Sequence, residues 1–190
     1  SWYEKYVELE KNNSLKFYYK KILLPNFKKI CKFDVSENQN FIEFSMDIVN
    51  YIKKISKKIN KHNGGLLCFD YGFKNKKMFD SLQSIKKHSY SKVLINPGNQ
   101  DITHLVNFNF MSSLIRKNNF CSDEVTTQGD FLKKMGIIER ANIITKNYNF
   151  KKKADLFFRL KRLIHPREMG NIFKVIFLKK KNQKFNLGFN

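Results

Sequence analysis

The spacing of hydrophobic residues predicts two strands and a long helix in the first third of the chain. Residues 2–10 and 15–20 are short aromatic-rich runs separated by an asparagine turn, a pattern typical of a strand pair. Over residues 41–59, phenylalanine and isoleucine recur at helical spacing while lysines occupy the other face, which predicts an amphipathic helix. Ser36 followed by Gln39 fits a capping box, so we expect this helix to begin there.

Segment 64–72, with the sequence GGLLCFDYG, is the most informative stretch of the chain. Its two glycines end the helical pattern, and the apolar run behind them predicts a strand that is buried on both faces. Ligands of open α/β sheets bind just beyond the carboxyl ends of such strands. Asp70, Tyr71 and Gly72 are therefore candidates for contact with a ligand. The alternative is an ordinary exit from strand to loop with a solvated acid.

The remaining pattern predicts short strands and helices in alternation, without internal repeats. A helix followed by a buried strand is half of a βαβ unit, so we expect one α/β domain over residues 1–190. A second capping box at residues 127–130 (TQGD) marks the start of another helix. The predicted elements are a strand within residues 81–88, a turn at 96–99, a helix at 108–118, a strand at 120–125, helices at 131–135, from 138 and at 152–164, and a last strand at 171–179.

The net charge is the most unusual feature of the composition. A formal charge of +21 would attract nucleic acid, anionic lipid or acidic protein surfaces. The basic residues are mostly lysines spread along the whole chain, and asparagine, isoleucine and phenylalanine are also abundant, as an A+T-rich coding sequence produces. Nucleic-acid recognition would favour arginines on one face among exposed aromatic residues. Nucleic acid is therefore not the expected partner.

Cysteine and histidine spacing excludes several classes of site. The three cysteines lie far apart, which indicates a reducing compartment and small buried side chains rather than a disulfide framework. The four histidines lack the spacing of a zinc site. No apolar run approaches the roughly 20 residues that cross a bilayer, so no membrane span is expected. The cysteines are Cys31, Cys68 and Cys121.

Two polar loops carry further candidate residues. Residues 97–103 place a turn, an acid and a hydroxyl ahead of a predicted helix, so Asp101 and Thr103 either contact a substrate or cap that helix. Gln128 either belongs to the cap of its own helix or presents its amide to a substrate. The sequence contains no glycine-rich G-x-G turn between strand and helix, which a nucleotide cofactor normally requires in an α/β fold.

Several segments together resemble the MidA-like methyltransferases, the bacterial relatives of a mitochondrial complex I assembly factor that methylates arginine. The resemblance spans nearly the whole chain, in the order and spacing of that family. The matching segments are residues 64–72 (GGLLCFDYG), 80–82 (DSL) followed by Lys87 and His88, 96–106 (NPGNQDITHLV), 127–140 (TQGDFLKKMGIIER) and 166–175 (PREMGNIFKV), with Trp2, Tyr3, Glu4, Val35 and Ser36.

The resemblance implies a Rossmann-like class I methyltransferase fold that uses S-adenosyl-L-methionine. It implies that this chain is the C-terminal part of that fold and lacks the N-terminal glycine-rich cofactor-binding half, which we expect upstream of Ser1. The family's arginine-methylating member acts on a protein, a subunit of the respiratory NADH dehydrogenase, so a protein substrate is expected here. The substrate-binding residues that the resemblance implies are Asp70, Tyr71, Gly72, Asp101, Thr103 and Gln128.

The chain departs from the family pattern near residue 107. The family usually has an acid in this segment, whereas this chain has Leu105 and Asn107 at its two polar positions. A cation-binding carboxylate is therefore not expected there.

Two other functions are compatible with the sequence. The chain could be a non-catalytic assembly scaffold that holds an acidic partner through its lysines. It could also be a basic nucleic-acid-binding module, whose affinity would fall steeply with salt. The bacterial cytoplasm is the expected compartment, and the mitochondrial matrix is the alternative, since both are reducing enough for free cysteines.

Overall fold

The computed structural model describes residues 1–184 and 187–189. Its contacts divide the chain into two compact units. Unit 1 consists of Ser1–Glu43 and Lys77–Leu105, and unit 2 consists of Phe44–Lys76 and Val106–Asn190. That both belong to one domain over residues 1–190 stays a prediction.

Strands and helices alternate along the chain. In order they are β1 (Trp2–Leu9), β2 (Leu15–Ile22), α1 (Phe27–Cys31), α2 (Met46–His62), β3 (Gly65–Phe73), β4 (Gln83–Lys86), β5 (Ser89–Ser91), β6 (Asp101–Thr103), β7 (Val106–Asn107), α3 (Phe108–Lys117), β8 (Phe120–Ser122), β9 (Thr126–Thr127), α4 (Gln128–Lys134), α5 (Ile137–Ile144), α6 (Phe150–Ile164), α7 (Met169–Ile172) and β10 (Phe173–Lys180).

Unit 1 is built on a hairpin and a small antiparallel sheet. Strands β1 and β2 pair along their whole length, from Trp2 opposite Ile22 to Leu9 opposite Leu15, which confirms the predicted strand pair. The small sheet has the order β5-β4-β6. Its central strand β4 confirms the strand expected within residues 81–88.

Unit 2 is a five-stranded sheet with helices packed against it. The strand order is β7-β3-β10-β8, and β9 also pairs with β10. Strand β10 pairs antiparallel with β3, β8 and β9, whereas β3 and β7 are parallel. Helix α3 packs against β3, β8 and β10, while α4 and α7 pack against β9 and β10. The most deeply buried apolar residues of this core are Val49, Phe108, Leu114, Ile115, Val175, Ile176 and Leu178.

The predicted helices and strands of the second half are confirmed. Helices α3, α4, α5 and α6 and strands β8 and β10 each lie where the hydrophobic spacing placed them. Thr127 caps α4, because its Oγ1 accepts a hydrogen bond from the backbone N–H of Asp130 at 3.1 Å. Within the described part of the chain, no helix combines the length and the apolar content that crossing a membrane requires.

Helix α2 begins at Met46 and not after Ser36, so that part of the prediction is wrong. The side chain of Ser45 caps the helix by accepting a backbone N–H of its first turn at 3.3 Å. Gln39 instead accepts a hydrogen bond from the backbone N–H of Met78 at 2.8 Å, within unit 1. Gln39, which the sequence pattern assigned to a helix cap, therefore makes a long-range contact instead.

Strand β3 is not buried on both faces, contrary to the prediction. Leu67, Phe69 and Tyr71 are exposed, and they alternate with half-buried residues along the strand. The exposed face is only partly covered, by the edge-on contact of the Phe131 ring of α4 with Phe69 at 5.2 Å between centroids. An uninterrupted apolar run cannot distinguish a covered face from a partly covered one.

Cys31, Cys68 and Cys121, all among the described residues, are not joined by disulfides. Cys31 is buried as predicted, whereas Cys68 and Cys121 are only half-buried.

Close packing of β3 against β7 gives the first testable prediction. Gly72→Ala would place a Cβ 2.3 Å from the carbonyl oxygen of Val106 and 2.6 Å from the Phe108 ring. We expect this substitution to lower the free energy of unfolding by about 1–3 kcal/mol in a urea titration.

Gly98→Asn is the matched control for Gly72→Ala. Gly98 has a φ of 88° and open space around its Cβ position, and asparagine tolerates that conformation. Its free energy of unfolding should change by less than about 0.5 kcal/mol. Equal stability of Gly72→Ala and the unmodified chain would contradict the packing described.

Candidate functional site

The six predicted site residues are divided between the two units. Three of them lie side by side on β3 and one begins α4, all in unit 2, while the other two lie on β6 in unit 1. In that order they are Asp70, Tyr71, Gly72, Gln128, Asp101 and Thr103.

Asp70 lies within β3 rather than at its end. The strand continues to Phe73, because Gly72 and Phe73 pair with β7. The carboxylate is half-buried, and its Oδ1 accepts a hydrogen bond from the backbone N–H of Tyr71 at 2.8 Å. One carboxylate oxygen is thus bound to the backbone of the strand. The second oxygen can accept a hydrogen bond from a cationic donor.

Lys174 is a site residue that the sequence reasoning missed. It lies directly opposite Asp70 in the pairing of β10 with β3, and its Nζ donates to the carbonyl oxygen of Asn171. Burial lowers the pKa of Lys174, and the positive charge of Lys74 lowers this pKa further. The alternation of β10 places Lys174 on the same face as the buried Ile176. The sequence analysis overlooked this signal because it attributed all lysines to coding bias.

Tyr71 and Phe173 form an aromatic pair on the opposite face of the sheet from Asp70, because successive side chains of a strand alternate. Their ring centroids are 4.1 Å apart with an angle of 37° between the planes. Tyr71 remains exposed, so one side of this pair faces solvent. The ring pair and the Asp70 carboxylate are therefore two separate features of β3, one on each face.

Gly72, Gly129 and Gly170 do not form a cradle for a nucleoside cofactor. The Cβ position of Gly72 is filled by Val106 and a neighbouring ring. The Cβ positions of Gly129 and Gly170 lie 2.6 and 2.4 Å from the carbonyl oxygen of Ile164. These glycines allow chain segments of the protein to approach each other, which leaves no space for a ligand there. These three glycines therefore do not hold S-adenosyl-L-methionine, whereas Gly64 and Gly98 have open space around their Cβ positions.

The described residues contain no group of three His, Cys, Asp or Glu side chains placed to hold a metal ion.

Asp101 and Thr103 are exposed on β6 and do not cap a helix. The Thr103 Oγ1 accepts a hydrogen bond from Gln83 Nε2 of β4 at 3.2 Å. Helix α3 is capped by Asn107, whose Oδ1 accepts from the backbone N–H of Phe110 at 3.0 Å. The capping alternative is wrong for these two residues, and their contact with a substrate stays a prediction.

Gln128 is buried at the first position of α4. Its Nε2 donates to the carbonyl oxygen of Leu163 in the last turn of α6, at 2.9 Å. The side chain thus joins two helices, and this amide hydrogen points away from solvent.

A buried ion pair was also missed by the sequence reasoning. Lys179 Nζ lies 2.8 Å from Asp123 Oδ1, and the two side chains are only 6% and 15% exposed. Lys179 belongs to a run of three lysines, which by itself is typical of a solvated segment. Its position next to the buried Leu178 in β10 shows that this lysine is part of the core.

The hydrogen bond of Gln128 gives a second testable prediction. Gln128→Ala leaves the Leu163 carbonyl without this donor, so the free energy of unfolding should fall by about 1–3 kcal/mol. Gln83→Ala, which removes an exposed hydrogen bond, should cost less than about 0.5 kcal/mol. Equal costs for the two variants in a urea titration would argue against the helix-joining role.

The thiol of Cys68 gives a third testable prediction. Burial raises the pKa of Cys68 above its ordinary value, and the carboxylate of Asp70 raises it further. Alkylation by iodoacetamide, followed for the Cys68 peptide by mass spectrometry, should therefore have a pH midpoint above that of the unfolded chain.

Asp70→Asn should lower this midpoint by less than unfolding does, because burial is the larger cause of the shift. Asp155→Asn, which removes the same charge from the exposed face of α6, should leave the midpoint unchanged. A folded-state midpoint at or below the unfolded one would contradict the described surroundings of Cys68.

The sequence of this chain matches a known protein family. Residues 1–125 fit the family described as "Putative S-adenosyl-L-methionine-dependent methyltransferase". This match covers more than half of the chain.

Curated relatives carry a consistent name. The chain is 29% identical to a protein of Xenopus laevis over 91% of its own length and 39% of the relative, and 30% identical to a protein of Xenopus tropicalis over 80% and 36%. Both relatives are named protein arginine methyltransferase NDUFAF7, mitochondrial. The chain therefore spans about two-fifths of the length of these relatives.

The fold is similar to that of a solved structure. A Burkholderia thailandensis protein of the COG1565 superfamily, crystallised with S-adenosyl-homocysteine, matches with a TM-score of 0.69 and 19% identity, over 100% of this chain and 48% of that one. This likeness confirms the predicted α/β, Rossmann-like fold class. With the match of residues 1–125, it leads to one conclusion: the chain belongs to the S-adenosyl-L-methionine-dependent methyltransferase family, the MidA-like family that its motifs resemble.

Proposed function

We propose that this chain is part of an S-adenosyl-L-methionine-dependent methyltransferase that modifies arginine side chains of a protein. The proposal is supported by the family membership and by the relatives named protein arginine methyltransferase. Because the chain spans about two-fifths of those relatives, the complete activity is proposed for a protein that contains it.

The observation that carries the proposal is the half-buried carboxylate of Asp70 in the middle of β3. An arginine guanidinium is planar and always charged, and a carboxylate is its strongest hydrogen-bond partner. Asp70 would orient the guanidinium through a charge-assisted hydrogen bond, and Tyr71 stays a proposed substrate contact by resemblance.

The cofactor is assigned mainly to residues outside this chain. The close packing at Gly72, Gly129 and Gly170 supports this assignment, since a nucleoside needs backbone that it can approach closely. Asp101, Thr103 and Gln128 remain proposed substrate contacts by resemblance, and no residue of the chain is assigned to cofactor binding.

The proposed partner is a protein substrate in the mitochondrion. The relatives are named as mitochondrial proteins, which favours the mitochondrial matrix over the bacterial cytoplasm. A subunit of respiratory NADH dehydrogenase is the proposed substrate, because the resembled family member acts on one.

A chimera tests the function directly and gives a fourth prediction. Residues 1–190 replace the matching segment of the Xenopus laevis relative, and tritiated S-adenosyl-L-methionine is the methyl donor. We expect label in arginine of the substrate protein, and at least roughly tenfold less label with Asp70→Asn, because a cationic substrate loses its carboxylate.

Asp155→Asn in the same chimera is the control, since it changes the charge equally at an exposed position. A folded chimera that binds S-adenosyl-L-methionine and labels no arginine would contradict the proposal. Equal labelling by the two Asn variants would contradict only the role of Asp70.

A non-catalytic assembly scaffold is the second candidate function. The formal charge of +21 favours it, because exposed lysines could hold an acidic partner. Copurification of an unmethylated partner with the chimera, without any labelling, would support the scaffold over the methyltransferase.

A further inference from the structure

The turn between α5 and α6 exposes large apolar side chains. We call residues 143–153 (IITKNYNFKKK) the α5–α6 tip. Ile143 is 74% exposed and Phe150 is 88% exposed, and Ile144 and Tyr148 beside them are also exposed. A contiguous group of exposed apolar residues of this kind marks an interaction surface more often than isolated ones do.

The tip is held in a defined conformation. Thr145 is buried, and its Oγ1 donates to the carbonyl oxygen of Ala141 at 2.8 Å. The backbone N–H of Tyr148 donates to the carbonyl oxygen of Thr145 at 3.0 Å, and Asn149 caps α6 by accepting from the backbone N–H of Lys152 at 3.0 Å. A polar residue is thus buried while its isoleucine neighbours face outward, so fraying of a helix end does not explain the exposure.

Positive charge surrounds these apolar residues. Lys146, Lys151, Lys152 and Lys153 are all exposed, and residues 140–154 contain no acidic residue. The tip therefore combines an apolar centre with a cationic border, which is the pattern of segments that lie in the interface of an anionic membrane.

We propose that the α5–α6 tip docks on an anionic lipid bilayer. Ile143, Ile144 and Phe150 would enter the boundary between headgroups and acyl chains, and the lysines would contact the headgroups. A second copy of the chain is disfavoured as the occupant, since the same lysines would repel each other. Single-stranded RNA is the weaker occupant, because Tyr148 and Phe150 could stack on bases whereas Ile143 and Ile144 could not. The proposal does not depend on methyl transfer.

Vesicle binding by the 190-residue chain tests the proposal and gives a fifth prediction. Vesicles of phosphatidylcholine with about 30% phosphatidylglycerol should bind the chain, and the affinity should exceed that for phosphatidylcholine alone by at least roughly tenfold. The double variant Ile143→Ser, Phe150→Ser keeps every charge and should weaken binding by roughly tenfold, because it removes only the apolar centre.

Matched controls separate the tip from the general charge of +21. Leu23→Ser with Tyr90→Ser removes equally exposed apolar side chains from unit 1 and should leave the affinity within roughly twofold. The triple change of Lys151, Lys152 and Lys153 to Gln should weaken binding more than the same change of the exposed lysines of α2, which are Lys54, Lys57 and Lys58.

Direct insertion is measured with a tryptophan at the tip. Phe150→Trp in a Trp2→Phe background should be quenched by brominated lipid, which requires contact with acyl chains. Equal weakening by both lysine triples together with no effect of the serine variants would overturn the proposal in favour of unspecific charge attraction. Loss of poly-uridine binding by the tip variants with unchanged vesicle binding would overturn it in favour of nucleic acid.

Discussion

The antiparallel pairing of β3 with β10 is the constraint on which unit 2 depends. It joins residues 65–71 to residues 173–179, so the strand in the middle of the sheet comes from the end of the sequence. Helices α3 and α4 pack against this central strand, and Val175, Ile176 and Leu178 supply its buried surface. The same register places Lys174 opposite Asp70 and Phe173 opposite Tyr71. The candidate site is therefore a direct consequence of the strand pairing that forms the core.

Local sequence patterns were sufficient to predict most helices and strands, but not the contacts that these elements make with each other. The hairpin, helices α3 to α6 and the last strand follow from periodicity and capping residues. The start of α2 was misplaced because Gln39 contacts Met78, which no local pattern reveals. Asp70 and Tyr71 were found through a family motif, whereas their partners Lys174 and Phe173 required the strand register. The burial of Lys174 and Lys179 could not be predicted from the sequence, because most other lysines of this lysine-rich chain are exposed to solvent.

The structure gives Gly72 and Gln128 roles that differ from those that their sequence motifs suggested. Gly72 was expected to let a ligand approach, and it instead lets β7 and a phenylalanine of α3 approach β3. Gln128 was expected to meet a substrate, and its amide joins α4 to α6. What remains for a cationic substrate is the half-buried carboxylate of Asp70, while the α5–α6 tip suits an anionic surface. The proposed protein would thus bring a methyl-accepting arginine and a lipid surface to different parts of unit 2.

The most direct measurement is a calorimetric titration of the 190-residue chain with S-adenosyl-L-methionine, with its fold verified by circular dichroism. The central claim is that these residues carry the substrate-facing part of a methyltransferase and that Gly72, Gly129 and Gly170 serve packing and not cofactor binding. It predicts a folded chain that releases no stoichiometric heat of binding. One-to-one binding of the cofactor to the folded chain would contradict the claim and would place a cofactor site within these residues.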